Sequence, residues 1–65
     1  MSEAVDLRYY TLRENMWKLT DEQRMFVARR IEQETQRIAK ELAITEEAAY
    51  RVFLEKGVMV DIPNE

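Results

Sequence analysis

The stretch from Asp21 to Ala43, DEQRMFVARRIEQETQRIAKELA, constrains the fold of this chain more than any other. It holds neither glycine nor proline. Val27, Ile31, Ile38 and Leu42 recur in it at helical spacing, with Ala28, Thr35 and Ala39 beside them on one stripe. Thr20 precedes it and Gln23 follows three residues later, the order of a capping box. At about 1.5 Å per residue such a helix runs roughly 35 Å, which is long for a chain of 65 residues. The rest of the chain must pack on that rod or on its copy in a second subunit.

Size turns this into an expectation about assembly. A chain this short buries only about 60% of its unfolded surface, and small cores need a disulfide, a metal or a partner subunit. Cysteine and histidine are both absent, so there is no disulfide and no ordinary structural zinc site. Oligomerisation is left. The reading is a homodimer whose seam and core draw on Val27, Ile31, Ile38, Leu42 and Phe53. The net charge of −3 is mild and argues against a protein that lives mainly on phosphate contacts. No apolar run approaches a membrane span and no signal-peptide pattern opens the chain, so a soluble, cytoplasmic protein is expected.

The flanking segments complete an all-α expectation: one domain over 1–65, with helices near Ser2–Leu19, Asp21–Ala43 and Thr45–Lys56 and a short extended tail. In the first helix Ser2 serves as cap, with Glu3 and Asp6 in the first turns. Val5, Tyr9, Leu12, Met16 and Leu19 fall on one face, and Glu14 pairs with Lys18. Tyr10 and Trp17 share a second face with Arg13 between them. Either that helix is buried on two sides in a dimer, or it shows a partner an aromatic patch of the kind that dominates binding hot spots.

The outer face of the long helix carries Arg29, Arg30, Arg37 and Lys40, with Gln33 and the off-stripe Phe26. Between Arg24 and Lys40 five basic residues face two acids, Glu32 and Glu34. This is either a solvated face or a basic strip for an acidic partner or phosphates. Met16 and Met25 read as core fillers.

In the third helix Thr45 is the cap, Glu46 and Glu47 sit in the first turn, and Glu47 pairs with Arg51. Ala49, Tyr50, Val52 and Phe53 form its buried face. Gly57 ends it at positive φ in a Schellman-type stop, with Val58 against Phe53. Val58, Val60 and Ile62 then alternate with Met59 and Asp61 in a strand-like tail closed by Pro63. That tail can lie along the core, pair with a symmetry mate, or add to a partner's sheet edge.

Catalysis lacks an inventory. Ser2 is the only serine, no glycine-rich phosphate loop occurs, and most carboxylates fall on solvated faces beside basic residues. No catalytic residue, metal or cofactor is expected.

From Thr35 to Val52 the chain reads TQRIAKELAITEEAAYRV, which resembles the helix-turn-helix of DNA-binding proteins. Ala39 matches the small residue where the two helices touch, Leu42 and Ile44 the apolar positions around the turn, and Thr45 the cap. Tyr50 and Arg51 are common types in the second helix. The resemblance implies an angled helix pair with Arg37, Lys40, Thr45, Glu46 and Arg51 near DNA. Ala43 stands where a turn glycine is usual, and Ala49 where a larger apolar residue is usual. Glu46 and Glu47 occupy the helix end that would approach a polyanion.

Two functional expectations follow. The first is a small non-catalytic regulatory protein that binds another protein stoichiometrically, such as an inhibitor or anti-activator of a transcription factor or enzyme carried by a mobile element. Its surface would be Tyr10, Arg13, Trp17, Phe26, Arg29 and Arg30. The second is a dimeric helix-turn-helix transcriptional regulator.

Overall fold

The structure, a computed structural model, describes residues 4–63. The chain is mainly helical with one small sheet. Strand β1 (Ala4–Asp6) leads into a 3-10 turn (Leu7–Thr11) and a single-turn helix α1 (Arg13–Met16). The long helix α2 (Asp21–Leu42), helix α3 (Glu46–Lys56) and strand β2 (Met59–Asp61) follow. The all-α expectation is therefore corrected to mainly α, and the expected first helix is replaced by strand, turn and one helical turn. The cap expected at Ser2 and the first-turn acid Glu3 lie outside the described residues.

Local chemistry explains that replacement. Asp6 Oδ1 accepts from the Arg8 backbone N–H at 2.9 Å and starts the 3-10 turn. Thr11 Oγ1 donates to the Arg8 carbonyl at 2.8 Å, and Asn15 Nδ2 donates to the Tyr9 carbonyl at 2.6 Å. These side chains take carbonyls that a continuous helix would use, the competition by which Ser, Thr, Asn and Asp divert backbone from helix. Leu12 then has extended backbone, φ −82 and ψ 128, which breaks the helical register between Tyr10 and Trp17. The two faces read along one helix do not exist. Leu7 is fully buried, whereas Tyr9 and Leu12 are exposed, and Lys18 donates to the Tyr9 hydroxyl at 3.3 Å.

Helix α2 forms where expected. Thr20 accepts from the Gln23 backbone and the Gln23 side chain accepts from the Thr20 N–H, closing the capping box. Gln23 Nε2 also donates to the Pro63 carbonyl at 2.9 Å, fastening the chain's last described residue to the start of α2. The buried stripe is Val27, Glu34, Thr35 and Ile38 with half-buried Ile31. Ala28, expected on the stripe, is exposed. The helix ends at Leu42. Ala43, at φ 54 and ψ 47, takes the left-handed cap that glycine usually fills, and Ile44 N–H reaches the Ala39 carbonyl at 3.0 Å.

Three residues, 43–45, connect α2 to α3, and the contact between these helices is the largest in the chain. Thr45 Oγ1 accepts from the Ala48 N–H at 3.2 Å, as expected of a cap. Ala49 and Phe53 are fully buried, and the Tyr50 ring lies stacked on Phe53 at 5.9 Å while remaining partly exposed. Phe53, Leu7 and Val27 are the largest fully buried side chains, each contributing about 1.5–3 kcal/mol by burial.

The tail pairs within the chain. β2 runs antiparallel to β1 in the register Ala4↔Asp61, Val5↔Val60, Asp6↔Met59. The alternation holds: Val60 and Ile62 are buried while Met59 and Asp61 are exposed. Gly57 has positive φ, but its ψ of 169 launches an extended strand, so the stop is not of the Schellman type. Arg8 closes this corner. It pairs with Asp6 at 2.7 Å and donates to the carbonyls of Leu54 and Glu55 at 3.4 and 3.1 Å, capping the end of α3 with a cation. The Arg8 side-chain hydrogen bond holds the Asp6 carboxyl below its ordinary value. No helix of the described residues is long and apolar enough to cross a membrane.

Candidate functional site

The residues grouped on sequence grounds as a partner surface are split by the fold. Arg13, Trp17 and Arg29 are exposed, whereas Tyr10, Phe26 and Arg30 are half-buried. Tyr10 sits in the 3-10 turn, with its ring edge-on to Tyr9 at 5.2 Å. Trp17 lies beyond α1, in the turn that leads to α2. Phe26 is half-buried against the core. Phe26 and Arg30 line a shallow groove of about 330 Å³ with Ala4, Met59, Val60 and Asp61.

Among the large hydrophobic side chains of the described residues Trp17 is the most exposed, at 65%, with Met25, Leu12 and Met59 close behind. Its ring is held rather than free: the Arg24 guanidinium stands over it at 5.0 Å, and Arg24 is itself paired with Asp21. Such a cation–π contact contributes about 0.5–1 kcal/mol at an exposed position. The result is a flat indole backed by a guanidinium on the first turn of a capped helix. Its rotamer entropy is partly spent before any partner arrives. Met25 is 63% exposed rather than a core filler, whereas Met16 is half-buried against the core.

The basic strip is largely neutralised within the chain. Glu34 is buried and is bonded by Arg30 at 3.0 Å and by Arg37 at 2.8 Å, and Arg37 also reaches Glu41 at 3.0 Å. Those two carboxylates raise the Arg37 guanidinium above its ordinary value, the Glu34 hydrogen bond contributing most. With Arg24 on Asp21, three of the five cations between Arg24 and Lys40 are engaged. Among the described residues Arg29 and Lys40 have no ion-pair partner. Glu34 reads as a solvated acid by composition. The signal for its burial was positional: it stands seven residues after Val27 and four before Ile38, with arginines at −4 and +3.

Of the residues implied by the helix-turn-helix resemblance, Arg37, Lys40, Thr45, Glu46 and Arg51 are all exposed. The expected Glu47–Arg51 and Glu14–Lys18 pairs are absent among the described residues. Of the seam-and-core set, Val27, Ile38 and Phe53 are buried and Ile31 half-buried, but Leu42 is 51% exposed. Leu42 occupies the last turn of α2. It lines a second groove of about 240 Å³ with Ile38, Val52 and Val58. No cluster of three or more metal-ligating side chains occurs among the described residues. No family model matches the chain, nor does any curated protein or any solved structure.

Proposed function

We propose that this protein is a small non-catalytic regulator that acts by stoichiometric binding to another protein, and that it works as a homodimer. The observation that carries the reading is Trp17, an indole 65% exposed yet held in place by Arg24. Tryptophan and arginine are the side chains most enriched at binding hot spots, and a rigid, pre-placed ring loses little entropy on docking. Arg13 and Arg29 are exposed cations that suit an acidic rim on the partner. An inhibitor or anti-activator of a transcription factor or enzyme fits a chain of this size that offers surface rather than a cleft.

The alternative reading is a dimeric helix-turn-helix DNA-binding regulator. The three-residue turn, the Thr45 cap and the exposure of Tyr50 and Arg51 support it. The neutralised Arg37 and the acids Glu46 and Glu47 weigh against it. One experiment separates the two. Tagged wild type, Trp17→Ala and Arg51→Ala are used as bait in lysate of the source organism, and the bound partner is titrated. Trp17 packs little against the core, so Trp17→Ala should keep its helical circular dichroism and lose about 2 kcal/mol or more of partner affinity. A folded Trp17→Ala protein with full activity beside an inactive Arg51→Ala protein would reverse the ranking.

A further inference from the structure

We infer that the groove between the last turns of α2 and the end of α3 is the seam of a symmetric dimer. In it Leu42 of each copy enters the groove of the other, and Glu41 of each faces Lys56 of the other. This rests on the dimeric reading above and assigns it a place. The groove floor is apolar, formed by Ile38, Val52 and Val58, and Leu42 stands beside it 51% exposed. Leu42 continues the stripe that buries Val27 and Ile38, so one apolar row is covered by this chain for three turns and left open in the fourth. Among the described residues seven hydrophobic side chains form the core while eight large ones are exposed. A chain without disulfides needs further burial of that kind.

The occupant is argued from charge. The rim carries Glu41 on one side and Lys56 on the other. Arg37, also on the rim, is occupied by Glu34 and Glu41. Lys56 has no ion-pair partner among the described residues, and the Glu41 side chain is 60% exposed. With Arg37 turned onto Glu34 and Glu41, the patch keeps one acid, Glu41, that bonds Arg37 yet stays 60% exposed, and one base, Lys56, without an ion pair among the described residues, on either side of an apolar floor, which makes it complementary to itself. A two-fold axis through it sets each acid opposite a base, twice, and closes the assembly. A purely acidic or purely basic partner would leave one of the two charges opposed. The seam lies at the opposite end of α2 from Trp17, roughly 30 Å away along the helix, so the dimer would present two copies of the Trp17 face.

Sedimentation equilibrium at micromolar concentration tests this with Glu41→Lys, Lys56→Glu, an equimolar mixture of the two, and Leu42→Glu, each checked for helicity by circular dichroism. Each charge reversal alone places like charges together at both contacts and should weaken the dimer about tenfold or more. The mixture re-pairs both contacts and should restore it. Leu42→Glu should be monomeric and folded, since its side chain is already half in water. Dimers unaffected by all three substitutions would place the seam elsewhere and overturn this assignment while leaving the dimeric reading standing. An unmodified chain that sediments as a monomer would overturn both.

Discussion

Gly57 joins α3 to β2 at φ 73 and ψ 169, a backbone region occupied almost only by glycine. Replacing it by alanine while keeping that backbone costs about 1–3 kcal/mol. The substitution meets a second obstacle. A Cβ there would lie 2.5 Å from Arg8 Nε, 2.9 Å from Arg8 Cζ and 2.9 Å from Asp6 Oδ1. The guanidinium must move aside, giving up its bonds to the Leu54 and Glu55 carbonyls and uncapping α3. Against a total stability of about 3–10 kcal/mol for a domain this small, the backbone cost alone is a large fraction. At about 4–8 °C per kcal/mol, the melting temperature of Gly57→Ala should fall by roughly 10 °C or more. Thermal melts followed by circular dichroism read the total, and an Arg8→Ala background separates its parts. With the guanidinium gone, the backbone cost and the approach to Asp6 Oδ1 should remain while the clash with Arg8 is relieved, so the double variant should be less damaged than the two single effects predict. A Gly57→Ala protein melting within about 2–3 °C of wild type would refute the conformational account. Strict additivity with Arg8→Ala would refute the steric one.

Ala43 holds a left-handed conformation without being glycine, at a cost of about 1 kcal/mol. Ala43→Gly should therefore raise the melting temperature by about 4 °C or more, and an unchanged or lower melt would contradict the cap geometry. Asp6 supplies a pH dependence with a definite sign. Its folded value lies below the ordinary 3.8, so the stability it contributes is complete above that pH and is lost as pH falls through the lowered folded value. Wild type should exceed Asp6→Asn in denaturant midpoint near neutral pH, and the gap should close below pH 3.8. A gap that persists undiminished in strong acid would remove Asp6–Arg8 as its source.

The parts of the fold that were legible in the sequence are those written locally. Thr20 with Gln23, Thr45 before Glu46, and Gly57 after Lys56 mark boundaries by bonds that span three or four residues. The alternation from Val58 to Ile62 likewise needs no partner to be read. In the N-terminal third β1 was not legible, because what decides it is distant. Val5 sits in β1 because Val60 lies opposite, and neighbouring sequence carries no trace of that pairing. Phe26, off the main stripe yet packed against the core, shares a groove with Ala4 of β1 and with Met59, Val60 and Asp61 of β2, and that neighbourhood is equally distant in sequence. Leu12, apolar and at helical spacing from Val5, is exposed because Thr11 and Asn15 divert the backbone around it.

Charge along α2 bears most directly on function. Counted by composition, the segment from Arg24 to Lys40 is basic and suits a polyanion. Counted by bonding, Arg30 and Arg37 enclose Glu34 and Arg24 closes on Asp21, so the field that reaches solvent is mostly that of Arg29 and Lys40. Phosphate binding draws its free energy from counterions released by cations free to approach. Cations already paired must first give up a carboxylate, in Glu34's case a buried one that would be left uncompensated. The same pairs do not handicap a protein-binding role. Arg24, paired with Asp21, also stands over the exposed Trp17 ring. Rigid aromatic surface beside a few free charges suits recognition of a shaped, mostly apolar partner patch better than recognition of a phosphate backbone.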